Sequence, residues 1–197
     1  TTFIKLGQFL ATRPDIIGEE LAKDLEKLQD KLPPFSKNEA SLILKKELGE
    51  KTFQNIREFS EPIAAASIAQ VHFAKIKNNG VEKEVAIKIL RPSIQKIFNE
   101  ELDALMLLAY IIESIVKKTK RLRLIEIVYL LKEITNIEMD LRFEAAAANE
   151  LYENTKNDIG FIVPKIYWNF TTQKILTLDK IEGIPIRETE KLTKSGI

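Results

Sequence analysis

The strongest constraint on the fold of this chain is the order in which its hydrophobic periods change. Ile16, Ile17, Leu21, Leu25, Leu28 and Leu32 recur at three- and four-residue spacing, one stripe of an amphipathic helix that Pro33-Pro34 stops. Ser36-Lys37-Asn38-Glu39 has the spacing of a capping box. It opens a second helix carrying Leu42, Ile43, Leu44 and Leu48, with Gly49 at its end. Near Phe59 the texture changes. Glu61-Pro62 breaks any helix, and Ile63 to Ile76 is small, apolar and partly alternating. Asn79-Gly80 is a turn pair, and Val85 to Leu90 is a short β-branched run ended by Arg91-Pro92. Helical stripes return with Leu102, Leu105, Leu108, Ala109, Ile112 and Ile115, then with Leu124, Ile127, Val128, Leu131, Ile134 and Ile137. Asp140 to about Asn154 is an Ala-rich helix. After Pro164, residues 165–170 (KIYWNF) and 174–181 (KILTLDKI) read as short strands around a Thr171-Thr172-Gln173 turn, and Gly183 and Pro185 mark a loop.

Helices, strands, helices, strands is not a regular alternation of one strand with one helix. It predicts an α+β fold, a small antiparallel sheet with helices gathered against it. The 197 residues allow one domain or one and a half, at roughly 100–200 residues each. With no Cys and the single His72, a zinc site of Cys or paired His cannot form within the chain, and a Ser-His-Asp triad would have to use His72. A net charge of +1 argues against a whole-domain nucleic-acid binder. The longest apolar run, Ala104 to Ile112, is nine residues, against the ~20 that span a bilayer.

Val85-Ala86-Ile87-Lys88 is the sharpest short motif. A Lys at the end of an apolar strand is costly to turn inward without an anionic partner. A phosphate together with a carboxylate is one such partner set; a solvent-facing edge Lys is the plainer alternative. About twenty residues earlier lies Ala64-Ala65-Ala66-Ser67, between two strand-like stretches. A loop of very small residues lets backbone amides approach phosphates closely, although Ala restricts the backbone where Gly would not. Glu144, in the Ala-rich helix, is the candidate carboxylate, with Glu138 and Asp140 nearby. His72 reads as a structural residue on the strand after the loop, and Trp168 as strand packing.

Lys5-Leu6-Gly7-Gln8 supplies a KxGQ motif. Together with AAAS (64–67), VAIK (85–88) and ExD (Glu138, Asp140), it makes nearly the whole chain resemble the UbiB family of atypical protein-kinase-like proteins, linked to ubiquinone biosynthesis. The resemblance implies a kinase-like N-lobe, a small antiparallel sheet with an αC helix, plus a helical KxGQ extension. The units expected are 1–58 for the extension and 59–92 for the strands with the Ala-rich nucleotide loop and VAIK. A helical insertion with ExD takes 93–139, and αC, the following strands and the hinge take 140–197.

Carried over by position, Ile63, Ala64, Ala65, Ala66, Ser67, Ile68, Ala69, Gln70 and Val71 resemble the nucleotide loop. Lys88 resembles the lysine that contacts nucleotide phosphates, and Glu144 the αC glutamate that pairs with it. Lys5, Gln8, Glu138 and Asp140 resemble the regulatory KxGQ and ExD pairs, and Leu178 to Gly183, with Asp179 and Ile181, the hinge that binds adenine through its backbone. The family's catalytic loop carries His near its Asp; the one His here precedes VAIK, and nothing after Gly183 reads as DFG. The C-lobe is therefore expected to lie outside the chain, which holds no catalytic residue and no metal site of its own.

The expected cofactor is ATP or ADP, with Mg²⁺ only when the C-lobe is present, and the expected partners are a nucleotide, a membrane lipid or quinone precursor, and ubiquinone-biosynthesis proteins, with no nucleic acid. The resemblance implies the ATP-binding lobe of an atypical kinase or ATPase at a bacterial cytoplasmic or organellar inner membrane. A non-catalytic pseudokinase scaffold or nucleotide sensor is the alternative. The basic run 117–123 (KKTKRLR) reads as a solvated helix end or as a contact for anionic headgroups.

Overall fold

A computed structural model describes residues 7, 10–12, 14–26, 33–116, 121–186 and 188–196. Lys5, Gln8, Leu28, Leu32 and the lysines of the 117–120 stretch lie outside the described residues.

The first helical stripe is not continuous. Helix α1 covers Pro14–Ile17 and α2 Glu19–Glu26, split by Gly18 at φ +86°. Leu21 is exposed and Ala22 is the buried residue of α2. Helix α3, Lys37–Leu48, realises its capping box: Glu39 N–H donates to Ser36 Oγ at 3.2 Å, and Ser36 N–H to Glu39 Oε2 at 3.2 Å. Gly49, at φ +77°, ends it and leads into α4, Glu50–Phe53. Ala40 and Leu44 are buried, whereas Leu42 faces water.

Among the described residues, the sheet has five antiparallel strands: β1 (Ile56–Arg57), β2 (Pro62–Ala65), β3 (Ala69–Asn78), β4 (Val81–Leu90) and β5 (Ile175–Asp179). Its order is β1-β3-β4-β5, with β2 on the same edge of β3 as β1. Across the gap between them the ladder is kept by Ser60, whose N–H donates to Phe73 O at 2.8 Å and whose Oγ accepts from Phe73 N–H at 2.9 Å. The β3–β4 hairpin turns at Asn79 (φ +51°) and Gly80 (φ +83°), two successive positive values of the kind that match strand twist. This register carries β4 back to Val81, four residues earlier than the apolar run indicates. The expected strand at 165–170 is only half one: Ile166 bridges Leu178, and Trp168–Phe170 is a 3-10 turn. Trp168 is consequently exposed rather than packed, and Tyr167 and Phe170 take the interior positions.

Period-two alternation divides the sheet into two packed faces. Val85, Ile87 and Ile89 point to one, where they meet Ala40 and Leu44 of α3 with Ala74, Ile76 and Ile175. Leu90 and Leu176 point to the other. There they meet Ile94 and Phe98 of helix α5 (Ile94–Ile115), and Leu141 and Ala145 of helix α7 (Leu141–Thr155). Helix α6 (Leu124–Glu138) pairs with α5 through Leu102, Ala109, Val128 and Leu131. Because α5 starts at Ile94, its buried stripe runs 94, 98, 102, 109, and Leu108 and Ile115 face outward. On α6, Ile137 is likewise exposed and Thr135 takes the buried place. A short helix α8, Thr189–Lys194, follows β5 in the chain.

Candidate functional site

Lys88 sits in the central strand β4, between Val71 of β3 and Leu176 of β5. Its neighbours Ile87 and Ile89 are fully buried against α3, so alternation turns Lys88 to the α7 face. There Nζ donates to both carboxylate oxygens of Glu144, at 2.9 Å to Oε1 and 2.7 Å to Oε2. Helix α7 is held in register for this contact. Leu141 and Ala145 bury on the sheet, Leu141 N–H donates to Gln173 O at 2.9 Å, and Glu144 beside Ala145 is left at the rim. The Lys88 side chain is 27% exposed and that of Glu144 50%. An ion pair so open to water contributes on the order of 0–1 kcal/mol to stability. Its value is that it points an ammonium group out of a rigid strand.

Asp140 caps α7. Its Oδ1 accepts from Arg142 N–H at 3.1 Å, and its two oxygens accept from Arg142 Nε at 2.9 Å and Nη2 at 2.5 Å. The Arg142 guanidinium holds this carboxyl below the usual carboxylate range. Glu138 ends α6 on an exposed surface. Of the ExD pair, the Asp is therefore engaged in fixing the start of the helix that carries Glu144.

The Ala-rich segment forms a tight turn. Ala64 and Ala65 pair with Val71 and Gln70, and Ala66 N–H donates to Ala69 O at 2.8 Å. No residue from Pro62 to Ala69 has a positive φ, so this turn needs no glycine. The expected loop residues separate into two groups. Ile63 and Ala64 are exposed, and Ala65, Ala66 and Val71 are half-buried. Ser67, Ile68, Ala69 and Gln70 are buried, Ile68 and Ala69 inside the core shared with Leu90 and Phe98. The side chains of Ile68, Ala69 and Gln70 thus serve packing and internal hydrogen bonds, leaving Ile63 to Ala66 as the accessible part.

A polar network behind this turn was not read from the sequence. Gln70 Oε1 accepts from Phe35 N–H at 2.9 Å, and Nε2 donates to Phe35 O at 3.1 Å. Nε2 also donates to His72 Nε2 at 2.8 Å, and His72 Nδ1 donates to Ser60 O at 2.9 Å, which fixes a neutral imidazole tautomer. The ring stacks on Phe59 at 4.3 Å, and burial pushes its pKa down. Arg91 N–H donates to Ile68 O at 2.8 Å, its Nε to Ala66 O at 3.0 Å and its Nη1 to Pro33 O at 2.9 Å. The available signal was polar residues, Gln70 and His72, inside an apolar strand, together with an Arg directly after it.

At the end of β5, Asp179 Oδ1 accepts from the Tyr167 hydroxyl at 2.5 Å, and Oδ2 from Lys165 N–H at 3.3 Å. Burial, with the Asp179 carboxylate beside it, raises the Tyr167 hydroxyl pKa above its ordinary value. The Asp179 side chain is thereby committed to the protein, as is its backbone N–H, which donates to Lys165 O at 2.9 Å. Ile181 is exposed. Lys180 N–H donates to Glu84 O at 3.2 Å, and its ammonium lies 5.0 Å from the centre of the Phe73 ring. Among the described residues no cluster of three or more His, Asp or Glu is arranged to hold a metal ion. A cleft of about 450 Å³ lies away from Lys88, between Ile43 and Lys46 of α3, Arg91 to Lys96, and Lys174.

Residues 27–197 match the ABC1 atypical kinase-like domain. The chain belongs to the ABC1 atypical kinase-like family. The chain is 37% identical over 196 residues to a probable protein kinase UbiB of Marinobacter nauticus, covering 99% of this chain and 35% of that protein. The corresponding protein of Azotobacter vinelandii is 35% identical over 195 residues, 98% of this chain and 36% of the relative. The chain thus spans about a third of the length of the curated UbiB relatives it matches. Among solved structures, the Rv3197–erythromycin complex from Mycobacterium tuberculosis superposes with a TM-score of 0.66 at 28% identity, over 94% of this chain and 45% of that one. An ABC1-family, N-lobe-like unit therefore accounts for the sheet, for the helix bearing Glu144 and for the UbiB resemblance of the sequence.

Proposed function

We propose that this chain is the nucleotide-binding lobe of a kinase-like protein that acts in ubiquinone biosynthesis. The observation that carries the reading is the Lys88–Glu144 contact. An ammonium group held by a helix-borne carboxylate, on the central strand of a small sheet, is positioned to meet the phosphates of ATP or ADP. The fit is supported by the neighbouring turn, where Ala64 to Ala66 are slim and accessible and the backbone stays out of the left-handed region. Adenine would be held by backbone groups of residues 178–183, since Asp179 is already paired with Tyr167. Mg²⁺ would arrive with the phosphates and take its protein ligands from residues outside this chain.

Lys5, Gln8 and Glu138 are proposed as regulatory residues of the same lobe, with Asp140 acting through the start of α7. The basic run at 117–123 is proposed to face anionic headgroups at the membrane where the quinone pathway works; no helix among the described residues is long and apolar enough to cross a membrane.

The test is calorimetric titration of the intact protein with ATP. Lys88→Ala is expected to weaken affinity about tenfold or more, the loss typical of one charge-assisted contact to phosphate, and Glu144→Gln to weaken it less. Unchanged affinity in Lys88→Ala contradicts the reading.

A further inference from the structure

The Ala-rich turn and the segment that enters α3 are far apart in sequence, yet they share two side chains. Arg91 holds Ala66 O through Nε and Pro33 O through Nη1, while its own N–H holds Ile68 O. Its guanidinium also lies 6.0 Å from the centre of the Phe35 ring. Gln70, in the strand leaving the turn, closes a two-bond ring with the backbone of Phe35. Gln70 is 1% exposed, so both bonds form in a water-poor site where an unmade partner is costly. One cation thus bridges the turn to residue 33, and one amide bridges the strand to residue 35. Moving either segment alone breaks charged or buried hydrogen bonds.

We infer that Arg91 and Gln70 are positioning residues that make the Pro33–Ser36 segment a tether for the Ala-rich turn. Residues 33–36 lead into α3, so displacement of this segment is transmitted to the turn through this clamp. By reciprocity, a ligand that orders the turn must also order the segment. The inference that the transmitted ligand is a nucleotide rests on the function proposed above; the mechanical coupling does not.

Amide hydrogen exchange on the intact protein separates the two. Two amides report the ends of the tether: Ala66 N–H, bonded to Ala69 O, and Phe35 N–H, bonded to Gln70 Oε1. Arg91→Lys keeps the charge and removes the fork. Without ligand, it is expected to speed exchange of both amides about tenfold, the loss of one charged hydrogen bond, while β4–β5 amides that open without breaking the clamp exchange as in wild type. Acceleration at only one end, or at neither, overturns the tether. With ATP, wild type should slow exchange at both Ala66 and Phe35, and Arg91→Lys should slow Phe35 less than wild type, because only the Gln70 bridge remains. Slowing at Ala66 with none at Phe35 in wild type also overturns it. Slowing at neither contradicts nucleotide binding, and the ligand-free comparison then decides the tether.

Discussion

The two faces of the sheet are built from one strand and do different work. On the α3 side, Val85, Ile87 and Ile89 are fully buried among aliphatic and aromatic neighbours, with the buried His72 and Thr177 on either side of Ile87. On the α7 side, the same strand places Lys88 at a half-open rim opposite Glu144, with Leu90 and Leu176 packed nearby. Adjacent residues of β4 therefore separate a buried packing role from an accessible ion pair. Burying an aliphatic side chain contributes about 1.5–3 kcal/mol, whereas the exposed ion pair contributes on the order of 0–1 kcal/mol.

The contrast can be broken by substitution. The largest effect is expected for Ile87→Ala, which leaves a cavity under α3 and should cost about 2–5 kcal/mol in denaturant unfolding. A cost near zero would mean that the α3 face is not the core. Ser36→Ala removes the cap that starts α3 and should cost about 1 kcal/mol by the same measurement. An unaffected midpoint would show that α3 docks without its cap.

Two pH effects sharpen the comparison, one on each side: His72 stands opposite Ile87 on the α3 face, and Asp140 starts α7. His72 has its pKa lowered, first by burial and against the pull of the Ser60 carbonyl and Glu61. Its contribution is complete above the unfolded value near ~6.5 and is lost as pH falls through the folded value. Stability should therefore begin to decline below about pH 6.5 and do so less in His72→Gln; identical profiles would contradict the buried neutral ring. Asp140, held low chiefly by Arg142, contributes above its unfolded value near ~3.9 and loses that contribution as pH falls further. The acid limb should therefore be shallower in Asp140→Asn.

Much of the arrangement was legible because it rests on local rules. The capping box at Ser36 and the Asn79-Gly80 turn each follow from a short pattern with a single physical solution, whereas the Lys88–Glu144 pairing is implied only by the family resemblance, since the residues alone also allow a solvent-facing Lys. Errors arose where tertiary context chose among equivalent residues. Leu42, Leu108 and Ile137 fit their helical stripes as well as the residues that were buried, and only the position of the neighbouring element decides. Trp168 lies outside the core because a 3-10 turn interrupts an aromatic run that has strand composition. The Arg91–Gln70 clamp was invisible because its acceptors are mainly backbone carbonyls, which carry no residue signature.

The most direct test of the central claim is thermal unfolding of wild type, Ile87→Ala and Lys88→Ala, each with and without saturating ATP. A ligand that binds only the folded state raises the melting temperature. The account predicts that Lys88→Ala melts with wild type in the absence of ATP and gains little on its addition, while Ile87→Ala melts lower and keeps the full shift. A Lys88→Ala protein that melts as low as Ile87→Ala, or that keeps the full ATP shift, would contradict it.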